Sequence, residues 1–289
     1  MFKDYSNLPY NLKVYTCLDH KMKSTGLLAL LFFATHSSFG QLVIPKRSAI
    51  VTTPKPEFSK TPTWQDEFEY TGKPDTTKWS YDLGDHGWGN QELENYTDQL
   101  ANARAENGRL IITAIKEKSG KANYSSARLV SKGKGDFLYG KIEVKAKLPS
   151  GTGTWPAIWM LPSDGTYGNK GWPDNGEIDI MEHVGFDPNR IHGNIHTKAF
   201  NHSIKTNKGG KIMTANAASE FHVYGCQWTP DFISISIDGV QYFKFNKDVN
   251  YGWQEWPFDK PFHILLNIAI GGAWGGQKGV DDSIFPQKM

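Results

Sequence analysis

The chain has 289 residues, 38% apolar and 13% aromatic, enough to bury the core of one large β domain. Net charge is only +2; residues 1–40 hold four Lys and two Asp, and without them basic and acidic residues balance at 28 each, so nothing in the charge asks for nucleic acid. Ten Trp and 29 Gly suit a sandwich with long loops and aromatic platforms, core aromatics taking part of the count.

Residues 27–34 (Leu-Leu-Ala-Leu-Leu-Phe-Phe-Ala) form an apolar run, preceded by Lys21 and Lys23 and followed by small residues up to Gly40-Gln41. This is the pattern of a secretory signal peptide. It is too short to span a bilayer, and no other stretch approaches the ~18 apolar residues a span needs. Because the pattern begins at Met22, residues 1–21 are expected to be a mis-assigned extension and residues 22–40 the leader of a secreted or periplasmic protein. Cys17 then falls before the cleavage point, which leaves Cys226 and no intrachain disulfide. Cys226 shares a strand face with Tyr224 and Trp228 and reads as a small buried hydrophobe. Residues 41–61, with Pro45, Pro54 and Pro56, read as a linker.

The domain is expected over residues 62–289, where short β runs alternate with Gly, Asn, Asp and Pro signals and no convincing helix exceeds two turns. Asn107-Gly108 and Asp238-Gly239 are two-residue hairpin turns. From Lys141 to Leu148, Ile142, Val144, Ala146 and Leu148 face one way and charged residues the other, as in a half-buried antiparallel strand. Phe262–Ile270 is apolar on both faces apart from His263 and Asn267, which fits an interior strand. The class is all-β, an antiparallel two-sheet sandwich of jelly-roll type.

Gly176-Glu177-Ile178-Asp179-Ile180-Met181-Glu182-His183 places three carboxylates within six residues. On a helix they would point to different sectors. On a strand Glu177 and Asp179 share a face, and Glu182 joins them only if one extra residue is inserted near Ile180 or Met181, as in a β-bulge. An exposed strand face that happens to be acidic is the plain alternative. Against it, no Lys or Arg occurs between 171 and 189, so the row is uncompensated, and it lies among Trp155, Trp159 and Trp172. Two glutamates flanking a bond with an aspartate between them are the equipment of a retaining glycosidase. With one bulge the glutamates behave like residues four apart, roughly 13 Å between α-carbons, and their side chains can close to about the 5 to 5.5 Å that retention requires. Trp155 and Trp159, four apart, share a strand face and can form a stacking stripe for sugar rings or fill the core.

Seven segments together resemble glycoside hydrolase family 16, and within it the bacterial laminarinases, endo-acting β-1,3-glucanases. They are Trp64-Gln65-Asp66-Glu67-Phe68, Gly87-Trp88-Gly89-Asn90-Gln91-Glu92-Leu93, Ser126-Ala127-Arg128-Leu129, Gly153 to Pro162, His192-Gly193-Asn194-Ile195-His196, Gln227-Trp228-Thr229-Pro230-Asp231 and Gly271 to Gly276. The resemblance spans roughly residues 62–289. It implies a concanavalin A-like jelly roll with an open substrate cleft on the concave sheet, acting as a monomer on β-glucan without a catalytic cofactor. It makes Glu177 the nucleophile, Asp179 the residue that tunes its neighbours and Glu182 the acid/base, whose proton affinity is raised by the crowding of Glu177 and Asp179. Trp155, Trp159 and Trp172 would line sugar subsites, Asn90, Arg128 and His196 would contact hydroxyls, and Trp274 would cap one end of the cleft. His196 has the competing reading that it only orients a carboxylate.

Family members usually continue past a segment like Phe285-Pro286-Gln287 into one more strand that closes the sandwich. The chain as given stops at Met289, so either an open edge or a continuing sequence is expected. Relatives also hold a structural calcium through a carboxylate near Glu67, a carbonyl near Gly108 and an Asp on that closing strand, and here the site would lack a ligand. Two other readings stand beside this one: a family member acting on mixed-linkage glucan, agarose, carrageenan or xyloglucan, and a non-catalytic β-glucan-binding protein. The second is disfavoured because both Glu177 and Glu182 are present.

Overall fold

The computed structural model describes residues 11–18 and 55–289. The leader expected at residues 22–40 lies outside the described residues. Among those described, the regular structure is β-strand with two short 3-10 turns.

One six-stranded sheet runs β17 (Val240–Asn246), β16 (Phe232–Ile237), β15 (His222–Trp228), β10 (Gly140–Ala146), β1 (Leu12–Thr16) and β2 (Trp64–Asp66). The facing sheet runs β14 (Lys208–Met213), β13 (Arg190–His196), β12 (Glu177–Glu182), β11 (Thr154–Pro162), β18 (Phe262–Ile270), β8 (Arg128–Val130) and β3 (Ser80–Asp82), with β9 (Asp136–Phe137) also on β18. A third sheet joins β19 (Gln287–Lys288), β6 (Arg109–Ser119), β7 (Ala122–Ser126) and β4 (Glu94–Tyr96), with β5 (Ala103–Glu106) on β6.

Local chemistry explains these elements. Both hairpin turns put two consecutive residues at positive φ, Asn107 at 53° with Gly108 at 68° and Asp238 at 48° with Gly239 at 76°, the geometry that matches the twist of the flanking strands. In β10 the alternation is as predicted, with Ile142, Val144 and Ala146 buried and Lys141, Glu143 and Lys145 only partly so. Every residue of β18 is buried, because both faces of that strand are covered. The shared core packs Ile158, Met160, Ile178, Ile180 and Met181 of the cleft sheet with Ile142, Tyr224, Cys226 and Trp228 of the other. Burial pushes the Cys226 thiol up to about 12, which makes it inert as a nucleophile.

The amino-terminal boundary differs from the expectation. Residues 11–18 belong to the sandwich: β1 lies between β2 and β10, antiparallel to both. The end of the expected linker pairs as well, since Cys17 bridges Phe58 and Leu18 N donates to Glu57 O. The leader pattern is local to the chain, whereas burial of Leu12 and Val14 in a sheet depends on partners more than 45 residues away. β1 therefore pairs along one edge of β2. Leu12 is 0% exposed, so Leu12→Ala should lower the unfolding free energy by about 2–5 kcal/mol in a denaturant titration. An unchanged midpoint would mean that β1 is not seated.

Candidate active site

The cleft is organised by β12. Against β11, Glu182 pairs with Ala157 and Met181 with Ile158, then Asp179 with Trp159 and Ile178 with Met160, so Ile180 is the extra residue. On the other side Asp179 faces Asn194 and Glu182 faces His192, three steps on β12 against two on β13. This is the bulge that the spacing required. Ile178, Ile180 and Met181 are all buried in the core, two of them consecutive, while Glu177, Asp179 and Glu182 share the opposite face. Gly176 leads into the strand at φ +87°, and a Cβ there would come within 2.9–3.1 Å of Pro257, Phe258 and Phe262.

Cross-strand neighbours hold the carboxyls. Trp155 Nε1 donates to Glu182 Oε1 at 3.1 Å, and Asn194 Nδ2 donates to Glu182 Oε2 at 3.1 Å. His196 Nε2 lies 3.3 Å from Asp179 Oδ2 and 3.8 Å from Glu177 Oε1. One atom each from Glu177, Asp179 and His196 fall within 4.8 Å of one another.

All three carboxyls are pushed above the ordinary range, and burial is the largest cause at each. The next cause is the charge of Asp179 at Glu177 and that of Glu182 at Asp179. At Glu182 the imidazole of His196 and the two N–H donors pull back down. Burial raises Glu182, and the charges of Glu177 and Asp179, expected to do so by crowding, take no part. Three charges cannot coexist in so dry a row. Glu177 and Asp179 lie side by side on this face, and the charge of Asp179 adds to burial in raising Glu177.

Behind this row lies a polar chain. Trp159 Nε1 donates to Asn267 Oδ1 at 2.8 Å, Asn267 Nδ2 to Tyr96 Oη at 3.0 Å, and Tyr96 Oη to Glu92 Oε2 at 3.0 Å. Asn90 Nδ2 donates to Glu92 Oε1 at 3.1 Å, so Asn90 and Trp159 are fixed by one network. Arg128 is 8% exposed, its guanidinium 4.7 Å from the rings of both Trp88 and Trp159 and paired with Asp82 at 3.0 Å. His196, 5% exposed, meets carboxylates, as its competing reading had it. Trp172 is 41% exposed and packs on His202 and His196. Trp274 packs edge-on against Trp155 and His192, near the Glu182 end of the row.

The profile described as Glycosyl hydrolases family 16 matches residues 88–284. The chain belongs to this family. It is 54% identical over 231 residues to a β-glucanase of Rhodothermus marinus, covering 78% of this chain and 81% of that one. It is 38% identical over 232 residues to a glucan endo-1,3-β-glucosidase of Cryptopygus antarcticus, covering 76% and 84%. The crystal structure of the Rhodothermus marinus laminarinase superposes with a TM-score of 0.77 at 53% identity, over 78% of this chain and 92% of that one.

Sequence reasoning for this family 16 chain missed Asn194, although alternation along His192-Gly193-Asn194-Ile195-His196 puts it on the face of His196. It also missed Trp88, Glu92, Tyr96 and Asn267, whose links cross between sheets and leave no local signal. Glu67 and Gly108 do converge, but the cradle they form does not fit a calcium ion. Asn11 Nδ2 donates to both carbonyls, Glu67 O at 2.9 Å and Gly108 O at 2.8 Å. Glu67 Oε2 accepts from Asn11 N at 2.9 Å, and Lys13 Nζ lies 3.1 Å from Oε1. N–H donors and an ammonium stand where a cation needs oxygens.

Two outcomes follow from this chemistry. Melting temperature should not move between EDTA and millimolar calcium; a rise with calcium concentration would show a cation bound to the folded state. For Asp179→Asn the sign comes from linkage. A carboxyl raised on folding favours the native state at pH below its unfolded value near 4, and that contribution is lost as pH climbs through the raised value. The variant should therefore melt higher than the parent at pH 8, by at least ~2 °C, with the gap closing towards pH 4. A gap that is constant with pH would contradict the desolvated row.

Proposed function

We propose that this chain is an endo-β-1,3-glucanase that cleaves laminarin-type glucan by double displacement, with Glu177 as nucleophile and Glu182 as acid/base. The observation that carries this reading is the bulge at Ile180, which sets both glutamates and Asp179 on one face of one strand. The substrate class is supported by the names of the relatives, a β-glucanase, a glucan endo-1,3-β-glucosidase and a laminarinase. Secretion is part of the proposal, since a polymer must meet its enzyme outside the cytoplasm, and the apolar run at residues 27–34 agrees with export.

In the first step Glu177 attacks the anomeric carbon while Glu182 gives its proton to the departing glycosidic oxygen. Glu177 must be anionic for this step, and a proton on Asp179 would remove the neighbouring charge that otherwise raises Glu177. Esterification then removes one negative charge from the row, so Glu182, now a carboxylate held by Trp155 and Asn194, takes a proton from water as that water attacks the anomeric carbon; the bond to Glu177 breaks, Glu177 leaves as a carboxylate and Glu182 is again the acid. The two N–H donors thus have a catalytic purpose: they keep burial from raising the proton affinity of Glu182 beyond use.

Glu182→Ala should slow laminarin cleavage by roughly 100- to 10,000-fold, the range general acid catalysis supplies. An aryl glycoside of a laminari-oligosaccharide, whose leaving group needs no proton, should lose much less. Equal losses on both substrates would remove Glu182 from the acid role. Trp155→Phe deletes one donor to the carboxylate, so the alkaline limb of the kcat/KM profile should move to higher pH. A limb that stays in place or moves down would mean that the indole N–H does not tune the acid.

A further inference from the structure

Three donors of two kinds converge at the Glu177 end of the row. Glu177 and His196 stand directly opposite each other across the β12–β13 ladder, so their side chains leave the same face as neighbours, with Asp179 diagonal to the imidazole. His196 Nε2 lies 3.3 Å from Asp179 Oδ2 and 3.8 Å from Glu177 Oε1, and one atom from each of the three residues falls within 4.8 Å of the others. A zinc ion about 2.0–2.2 Å from tetrahedral imidazole and carboxylate ligands holds them roughly 3.3–3.6 Å apart, close to both distances at Nε2. Little movement is needed.

A second observation points the same way. Asp179 Oδ2 is buried and accepts no hydrogen bond, although His196 Nε2 is in contact with it. The imidazole does not donate along this line. With its proton on Nδ1 it turns a lone pair to the two carboxylates, and a point ringed by acceptors alone suits a cation. No Lys or Arg occurs between 171 and 189 to fill it, and Lys198 is taken up by Asp174 at 3.2 Å. Trp172 and His202 pack on the His196 ring, their centroids 5.9 and 5.1 Å away, which fixes its plane.

We infer that Glu177, Asp179 and His196 form a site for a divalent first-row transition metal, and that zinc bound there blocks the enzyme by occupying Glu177. The blockade rests on Glu177 as nucleophile; the binding does not. Two carboxylates and an imidazole, with a fourth position facing the cleft, are a zinc ligand set, whereas calcium and magnesium take oxygen ligands. A dication supplies the counter-charge that the acidic row lacks. Glu182, held by Trp155 and Asn194, stays outside the set.

The test titrates ZnCl2 by calorimetry into the full chain, stripped with EDTA and desalted. Zinc should bind, saturating zinc should slow laminarin cleavage by roughly tenfold or more, and EDTA should restore the rate. Glu177→Gln and His196→Gln should each bind zinc at least about tenfold more weakly, since losing even a group that only supports a ligand costs roughly 10- to 100-fold. His222→Gln removes an imidazole paired with Asp238 on the other sheet and should bind zinc as the parent does. Should His196→Gln fail to fold, Glu177→Gln, which exchanges one oxygen for an amide nitrogen, decides. Because the titration contains no substrate, it reads the site whether or not the chain cleaves laminarin. No zinc bound at millimolar concentration, unchanged affinity in Glu177→Gln, a loss of binding in His222→Gln, or full activity with zinc bound overturns the inference.

Discussion

Everything in the cleft depends on one inserted residue. Were the strand regular, with no bulge at Ile180, strict alternation would send Glu182 into the sandwich and leave Glu177 and Asp179 facing the cleft alone. With it, two consecutive apolar side chains, Ile180 and Met181, turn into the core, and the third carboxyl returns to the open face. The bulge is also why both glutamates open onto the same face of β12 as Asp179.

The acidic row is costly to hold, and the neighbouring strands offset the cost. β11 and β13 supply Trp155, Asn194 and His196, whose polar nitrogens meet the carboxyls from either side. β18 gives Asn267, which ties Trp159 to Tyr96 and so to Glu92 and Asn90. Each support comes from a strand whose reverse face is buried core. Rigidity of the site and stability of the sandwich therefore share the same backbone, and the row remains a place where stability is given up for chemistry.

What could be read from the sequence was whatever alternation controls. The acidic row, its bulge, the hairpins at Asn107-Gly108 and Asp238-Gly239, and the buried strand Phe262–Ile270 all follow from period-two patterning and turn chemistry. The face of Trp155 was readable too, but not the partner of its indole N–H, because alternation assigns a side and says nothing of what lies across the ladder. The surroundings of Arg128 were hidden for the same reason: only the assembled sheets bring Trp88, Trp159 and Asp82 around it. Residues 11–18 were hidden by the leader pattern that follows them, and the calcium expectation gave way to Asn11, a residue assigned to no part of the domain.

The central claim is that Glu177 and Glu182, set by the bulge, work as nucleophile and acid/base on the same sugar. Proton NMR of the first product released from laminarin, recorded before mutarotation equilibrates the anomers, reads this directly. The account predicts the β anomer at early times. Initial release of the α anomer would contradict the roles of both glutamates and the geometry that assigns them.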